Sequence, residues 1–216
     1  LNAQFNPHFL YNTLNAIYWK CVRAGQEPIA EMVVRMSRLL RYSIQPGREF
    51  AEVSEDMEEI ANYLQLQQER YGDDLQTELR IEDGMSGKLI PRLLLQPIIE
   101  NAIVHGLEPS EGPKRLSVEA VLLPKGWMRF TVCDNGVGMP ADELEALNRR
   151  LETEDEVLMV PVRSSGNTGI GMLNVMKRLK AHYGSRGQLT ILSAPGQGSI
   201  VTVRMPAWEK EESVYA

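Results

Sequence analysis

The spacing of apolar residues changes character once along this chain, and that change fixes what the chain can fold into. Up to residue 72 the spacing is helical. Leu10, Leu14, Ile17 and Cys21 recur at steps of four, three and four residues, a stripe down one helix face. Gly25-Gln26-Glu27 reads as a turn and Pro28 as an early helical residue, after which Ile29, Met32, Val33, Met36, Leu39 and Leu40 mark a second helix. Gln45-Pro46-Gly47 breaks the pattern. Ser54, Asp56 and Met57 open a third helix that carries Ile60, Leu64 and Tyr71 and stops near Gly72. From Leu75 the period shortens to two: Leu75 to Ile81 and Arg115 to Leu123 alternate as strands, and Pro124-Lys125-Gly126 turns the chain into Trp127 to Cys133. Gln188 to Ser193 and Ser199 to Met205 form a second strand pair across Pro195-Gly196-Gln197-Gly198, with helices expected at Pro91 to Gly106, Ala141 to Leu151 and Gly171 to His182.

These patterns predict two regions, 1–72 and 73–216. The first is a helical hairpin with a further helix, and the second is an α+β two-layer sandwich with helices on one face of a mixed sheet. A hairpin of two short amphipathic helices buries little alone, so we expect a homodimer in which two hairpins form a four-helix bundle. The net charge of −6 offers no footprint for a phosphate backbone, and no nucleic-acid partner is expected. Cys21 and Cys133 are far apart and outside any metal-binding spacing. No window is apolar enough to span a membrane. The chain starts at Leu1 without an initiator methionine, which leads us to expect a preceding region, a membrane sensor.

Four segments carry chemistry. In Gln4-Phe5-Asn6-Pro7-His8-Phe9-Leu10-Tyr11-Asn12-Thr13-Leu14-Asn15, about 100° per residue groups His8, Asn12 and Asn15 on one face, opposite the apolar stripe. His8 therefore points outward near a helix start, with Asn6 as a cap and Pro7 in the first turn. In Gln96 to Gly106, Asn101 and His105 lie four apart beside the apolar Leu95, Ile98, Ile99 and Ala102, at the edge of a helix packed on the sheet. A carboxamide oxygen there suits magnesium, which prefers oxygen ligands and keeps several waters. Asp134-Asn135-Gly136-Val137-Gly138 follows a strand, where a carboxylate can accept from an exocyclic amine while Gly136 and Gly138 let the backbone close over a flat ring. Gly166-Asn167-Thr168-Gly169-Ile170-Gly171 runs into a helix, a phosphate cradle in which Gly169, Ile170 and Gly171 bring free N–H groups close. The residues between Pro140 and Gly166, with an acidic run at Glu152 to Glu156, read as a cover over the site.

The order of these segments resembles the N, G1 and G2 boxes of the ATPase superfamily shared by gyrase B, Hsp90, MutL and the histidine kinases. The Gln-x-Asn-Pro-His-Phe-Leu-Tyr-Asn stretch resembles the phosphoacceptor motif of LytS-type sensor histidine kinases. That resemblance implies a Bergerat ATP-binding fold at 73–216 and a dimerisation and His-phosphotransfer region at 1–72. It implies ATP and Mg2+ as cofactors, with Asn101 on the metal, His105 toward the phosphates, Asp134 on the adenine amine, Gly136, Gly138, Gly169 and Gly171 shaping the pocket, and Thr202 supporting the adenine contact. It implies autophosphorylation of His8, transfer to the aspartate of a response regulator receiver domain, and a chain that is the cytoplasmic domain of a membrane-anchored sensor. Asn12, at an offset linked in other histidine kinases to dephosphorylating the regulator, carries a second expected activity. Many such kinases place an acidic residue directly after the acceptor, whereas Phe9 stands here, which leaves the proton acceptor for His8 open, with Glu100 as a candidate. An ATP-hydrolysing clamp and a nucleotide-binding scaffold without transfer are the alternatives.

Overall fold

The computed structural model describes residues 7–44, 47–152 and 170–208. Helices α1 (Pro7–Arg23) and α2 (Glu27–Ile44) pack as a hairpin. Gly25, at φ +67°, makes the left-handed turn that ends α1, and Gln26 N–H returns to the Cys21 carbonyl at 2.9 Å. Only Ala30 and Val33 of α2 are buried, while Ile17, Val22, Ile29, Val34 and Met36 remain exposed. The hairpin thus leaves most of its apolar surface in solvent.

Strand β1 (Phe50–Glu52) leads directly into α3 (Val53–Tyr71). Glu55, in the first turn, accepts the Glu52 N–H at 3.1 Å, and Gly72 at φ +61° closes the far end with its N–H on the Gln68 carbonyl. Val53, Met57, Ile60 and Leu64, at steps of four, three and four, are buried in the same apolar core as the strands that follow. The helix placed in the first region by its period therefore packs with the second.

The main sheet is built from β2 (Leu75–Ile81), β4 (Lys114–Leu123), β5 (Trp127–Asp134), β6 (Gln188–Ser193) and β7 (Ser199–Pro206), in the order β2-β4-β5-β7-β6. β2 and β4 run parallel, and every other pairing is antiparallel. One face carries α4 (Gln96–Asn101), which continues as a π-helical stretch to Leu107, together with α5 (Ala141–Glu152) and α6 (Ile170–Tyr183). Met128, Phe130 and Val132 of β5 and Val201, Val203 and Met205 of β7 face these helices. Each such side chain contributes about 1.5–3 kcal/mol by leaving water.

Two expectations need correction. The helix expected from Pro91 begins instead at Gln96, because Leu89–Pro91 forms strand β3, paired antiparallel with β1 (Ala51 opposite Ile90). The other concerns Thr202. Val201 and Val203 point inward, so the pleat turns Thr202 to the opposite face, beside Thr131 and Thr190.

Candidate functional site

Strand parity sets the site. Met128, Phe130 and Val132 point into the core, and the next inward position on β5 is Asp134, a carboxylate only 6% exposed. Its Oδ1 accepts the Gly136 N–H at 2.8 Å, and the Ser199 N–H supplies a further hydrogen bond. Burial pushes its carboxyl up from the ordinary range, and these two N–H groups pull the other way without cancelling it. Asp134 stands in a cavity of about 260 Å³, lined among others by Asn101, His105, Gly138, Met139, Met172 and Val201.

Glycines close the walls. Gly136 packs against the backbone of Gly106 so tightly that a Cβ would enter the Gly106 carbonyl, while Val137 N–H donates to that carbonyl at 2.9 Å. The π-helical turn at 102–107 carries this carbonyl, a local widening of the kind often found at functional sites. On the other side Gly138, at φ +68°, abuts the Ala194 carbonyl, and Gly198 abuts the carbonyl of Asp134 itself. The loop after β5 is therefore held between the π-helical turn and the β6–β7 turn.

Asn101 ends α4 at the cavity rim, and its Nδ2 is buried with no hydrogen-bond partner among the described residues. A Cβ on Gly171 would lie 2.9 Å from that nitrogen, so the glycine lets the first turn of α6 approach the amide. Such a buried, unpartnered amide fits a ligand-facing role. Magnesium fits this arrangement if nucleotide phosphates supply most of its ligands, since no cluster of three His, Cys, Asp or Glu able to hold a metal occurs among the described residues.

The structure thus brings Asn101, His105, Asp134, Gly136, Gly138 and Gly171 together. Ile170 is 53% exposed at the start of α6, Gly169 lies outside the described residues, as does most of the expected cover, and Thr202 faces away. Glu100 sits on the exposed side of α4, where it accepts from Gln96 Nε2 at 3.0 Å. His8 and Asn12 are exposed on α1, which contributes nothing to the cavity, and Asn12 Nδ2 is 3.2 Å from His8 Nδ1. The sequence reading missed Gly106 and Ser199 as walls of the site. Gly106 was visible at the end of the Asn101 segment, and Ser199 has the parity of Val201.

The architecture is thus an α+β sandwich that closes glycine-bearing loops around a buried carboxylate, joined to a helical hairpin that displays His8. Residues 70–209 match the family described as Histidine kinase-, DNA gyrase B-, and HSP90-like ATPase, and residues 1–75 match the family described as Histidine kinase. The chain belongs to this ATPase family, with a region that matches the histidine kinase family before it. It is 34% identical over 206 residues to the sensor histidine kinase YesM of Bacillus subtilis, covering 95% of this chain and 32% of that protein. It is 29% identical over 216 residues to the sensor protein LytS of Staphylococcus epidermidis, covering 100% of this chain and 34% of that one. The chain therefore spans about a third of the length of these relatives. In fold it is similar to the histidine kinase domain of the Erythrobacter litoralis blue-light activated kinase, with a TM-score of 0.52, 13% identity and 93% of each chain covered.

Proposed function

We propose that the chain binds ATP with magnesium in the Asp134 cavity and moves the γ-phosphoryl group to His8, from which it passes to an aspartate of a response regulator receiver domain. The observation that carries this reading is the buried Asp134 beneath backbone-packed glycines, a place where a carboxylate can accept from the adenine amine while the loop backbone covers the flat ring. Asn101 would hold the metal by its carboxamide oxygen, and the metal would neutralise charge between the phosphates. His105, on the same cavity wall, would approach the phosphates, with Ile170 and Gly171 at the start of α6 beside them.

A ring nitrogen of His8 attacks phosphorus, the bond from phosphorus to the bridging β–γ oxygen breaks, ADP leaves, and the ring proton goes to a base. Glu100, exposed one residue before Asn101, would serve as that base. Because α1 lines no part of the cavity, transfer requires the nucleotide module to approach the hairpin of its own chain or of a second copy. A homodimer through the hairpin would cover Ile17, Val22, Ile29, Val34 and Met36. We place the chain on the cytoplasmic side of a membrane-anchored sensor, on the pattern of relatives named as sensor proteins; no described helix is long and apolar enough to cross a membrane.

The test is incubation with γ-labelled ATP and magnesium. Acid-labile label should appear on the wild type and vanish in His8→Gln, with ATP affinity unchanged. Equal labelling of both would refute the assignment, and phosphate release without labelling would favour the hydrolysing clamp.

A further inference from the structure

One polar cluster outside the cavity ties the hairpin to it. Tyr42, in the last turns of α2, donates its hydroxyl to Asp56 Oδ1 at 2.8 Å, and the Leu93 N–H donates to the same oxygen at 2.9 Å. Asp56 is 2% exposed, and its Oδ2 is buried without a hydrogen-bond partner among the described residues. The Arg92 guanidinium lies 4.1 Å from the centre of the Tyr42 ring, and Arg178 of α6 donates to the Arg92 carbonyl at 2.5 Å. Both guanidiniums act electrostatically on Asp56. Burial, with Asp56 beside it, pushes the Tyr42 hydroxyl up, so it remains a donor at any ordinary pH.

What Asp56 holds matters for the site. Leu93 has φ +58°, a left-handed conformation unfavourable for a leucine, and it persists only where its surroundings fix it. Two fully buried leucines, Leu94 and Leu95, follow, and then Gln96 opens α4, which ends at Asn101. Arg178 belongs to α6, whose Gly171 meets the Asn101 amide. Both helices that converge on Asn101 are thus anchored around one carboxylate, and that carboxylate is gripped by the hairpin. Further polar contacts join α2 to α3: Arg38 pairs with Glu59 at 2.8 Å and Glu58 at 2.6 Å, and Arg35 bonds Gln65. Arg35, Arg38 and Tyr42 share one face of α2 at steps of three and four.

We infer that Asp56 is a positioning residue for the nucleotide site and that the Tyr42–Asp56 hydrogen bond is the latch through which the hairpin sets the Leu93 turn and the helix carrying Asn101. The inference rests on the nucleotide-site reading above. Movement of α2 along its polar seam would release Leu93 and loosen α4 against α6, and nucleotide in the cavity would by reciprocity tighten the end of α2.

The test is amide hydrogen exchange on the whole chain with and without ADP, alongside ADP titration. Tyr42→Phe keeps the ring on Arg92 and removes only the hydroxyl. It should speed exchange at residues 93–101 by roughly ten- to a hundred-fold in nucleotide-free protein, as expected for one hydrogen bond to a charged group, and weaken ADP by a similar factor. In the wild type ADP should slow exchange at residues 40–44, and in Tyr42→Phe that effect should vanish. Asp56→Asn keeps an oxygen able to accept both bonds and should stay closer to wild type than Asp56→Ala. Arg48→Ala, which breaks the exposed pair with Glu55 nearby, should match wild type. If Asp56→Ala does not fold, Tyr42→Phe carries the test. Exchange at 93–101 unchanged in Tyr42→Phe, or raised equally across the chain, overturns the latch. A wild type that binds no ADP overturns the nucleotide reading instead, and the nucleotide-free exchange comparison then judges the latch alone.

Discussion

Asn12 Nδ2 lies 3.2 Å from His8 Nδ1, one helical turn further along the exposed face of α1. With the amide nitrogen donating, the neutral ring carries its proton on Nε2. With the amide turned half a rotation, its oxygen accepts an Nδ1 proton, and Nε2 holds the lone pair that can attack phosphorus. If His8 is the acceptor, as proposed, Asn12 would orient its ring, besides carrying a carboxamide able to orient water against a phosphorylated regulator. Replacing Asn12 with Ala should slow His8 labelling by no more than about ten-fold, the ceiling for one neutral hydrogen bond. The same variant should slow loss of phosphate from the cognate regulator, assayed with the purified phosphorylated regulator, the kinase variant and ADP. Identical decay with wild type and Asn12→Ala would leave Asn12 with only the orienting role.

Asn101 at the cavity rim, whose carboxamide oxygen can ligate a hard cation, leads to a prediction about metal dependence. Asn101→Ala or Asn101→Asp should cut phosphoryl transfer far more than it cuts binding of nucleotide in the presence of a chelator, since the metal acts mainly on charge developing between phosphates. Labelling rates measured across a magnesium titration check this. A titration curve superimposable on wild type would remove Asn101 from the metal.

A Cβ on Gly136 would run into the Gly106 backbone, and one on Gly106 would lie 2.8 Å from the Asp134 carboxylate. Gly136→Ala should destabilise the protein by roughly 1–3 kcal/mol through overpacking and should also weaken nucleotide binding, because the loop after β5 would be displaced. Gly87→Ala, with nothing within 4 Å of its Cβ, is the control and should leave the unfolding midpoint nearly unchanged. Urea unfolding of the two variants with equal midpoints would show that the loop tolerates the displacement.

Much of this arrangement is legible in the sequence because two periodicities carry it. The steps of four, three and four in α1 and α3, and the alternation through Phe130 and Val132, reach the eye without tertiary information, and that alternation continued one step further buries Asp134. The same alternation, counted from Val201 and Val203, would have turned Thr202 outward and Ser199 inward. β1 and β3 were not legible, because a three-residue strand is too short to show a period and exists only through its pairing. Nor was the π-helical turn at 102–107, whose widened hydrogen bonding accompanies the contact of the Gly106 carbonyl with Val137. The Asp56 cluster was hidden for a related reason: Tyr42, Asp56, Leu93 and Arg178 come from four separate segments, and only packing joins them.

The burial of Asp134 comes at a cost to the fold, and the cost has a definite pH signature. Burial raises its carboxyl pKa in the folded chain above the unfolded value of about 3.9. Between those two values the folded state binds more protons than the unfolded state, so stability falls as pH rises through that window. The penalty is fully present above the folded pKa and absent below the unfolded one. Asn at this position is neutral throughout. Asp134→Asn should therefore melt higher than wild type at pH 7 without nucleotide, and the difference should shrink as pH falls toward 4. Other carboxylates titrate over the same range, but they are common to both proteins and cancel in the comparison. With nucleotide the order should reverse in sensitivity: the variant should bind ATP more weakly by roughly 1.5–3 kcal/mol, the range for a hydrogen bond to a charged group, and gain less thermal protection from it. Calorimetric melting at pH 4, 5 and 7 and ATP titration at pH 7 test both halves. Unchanged ATP affinity would make Asp134 a turn residue only, and a variant less stable than wild type at pH 7 would mean that the Gly136 and Ser199 hydrogen bonds outweigh the burial of the charge.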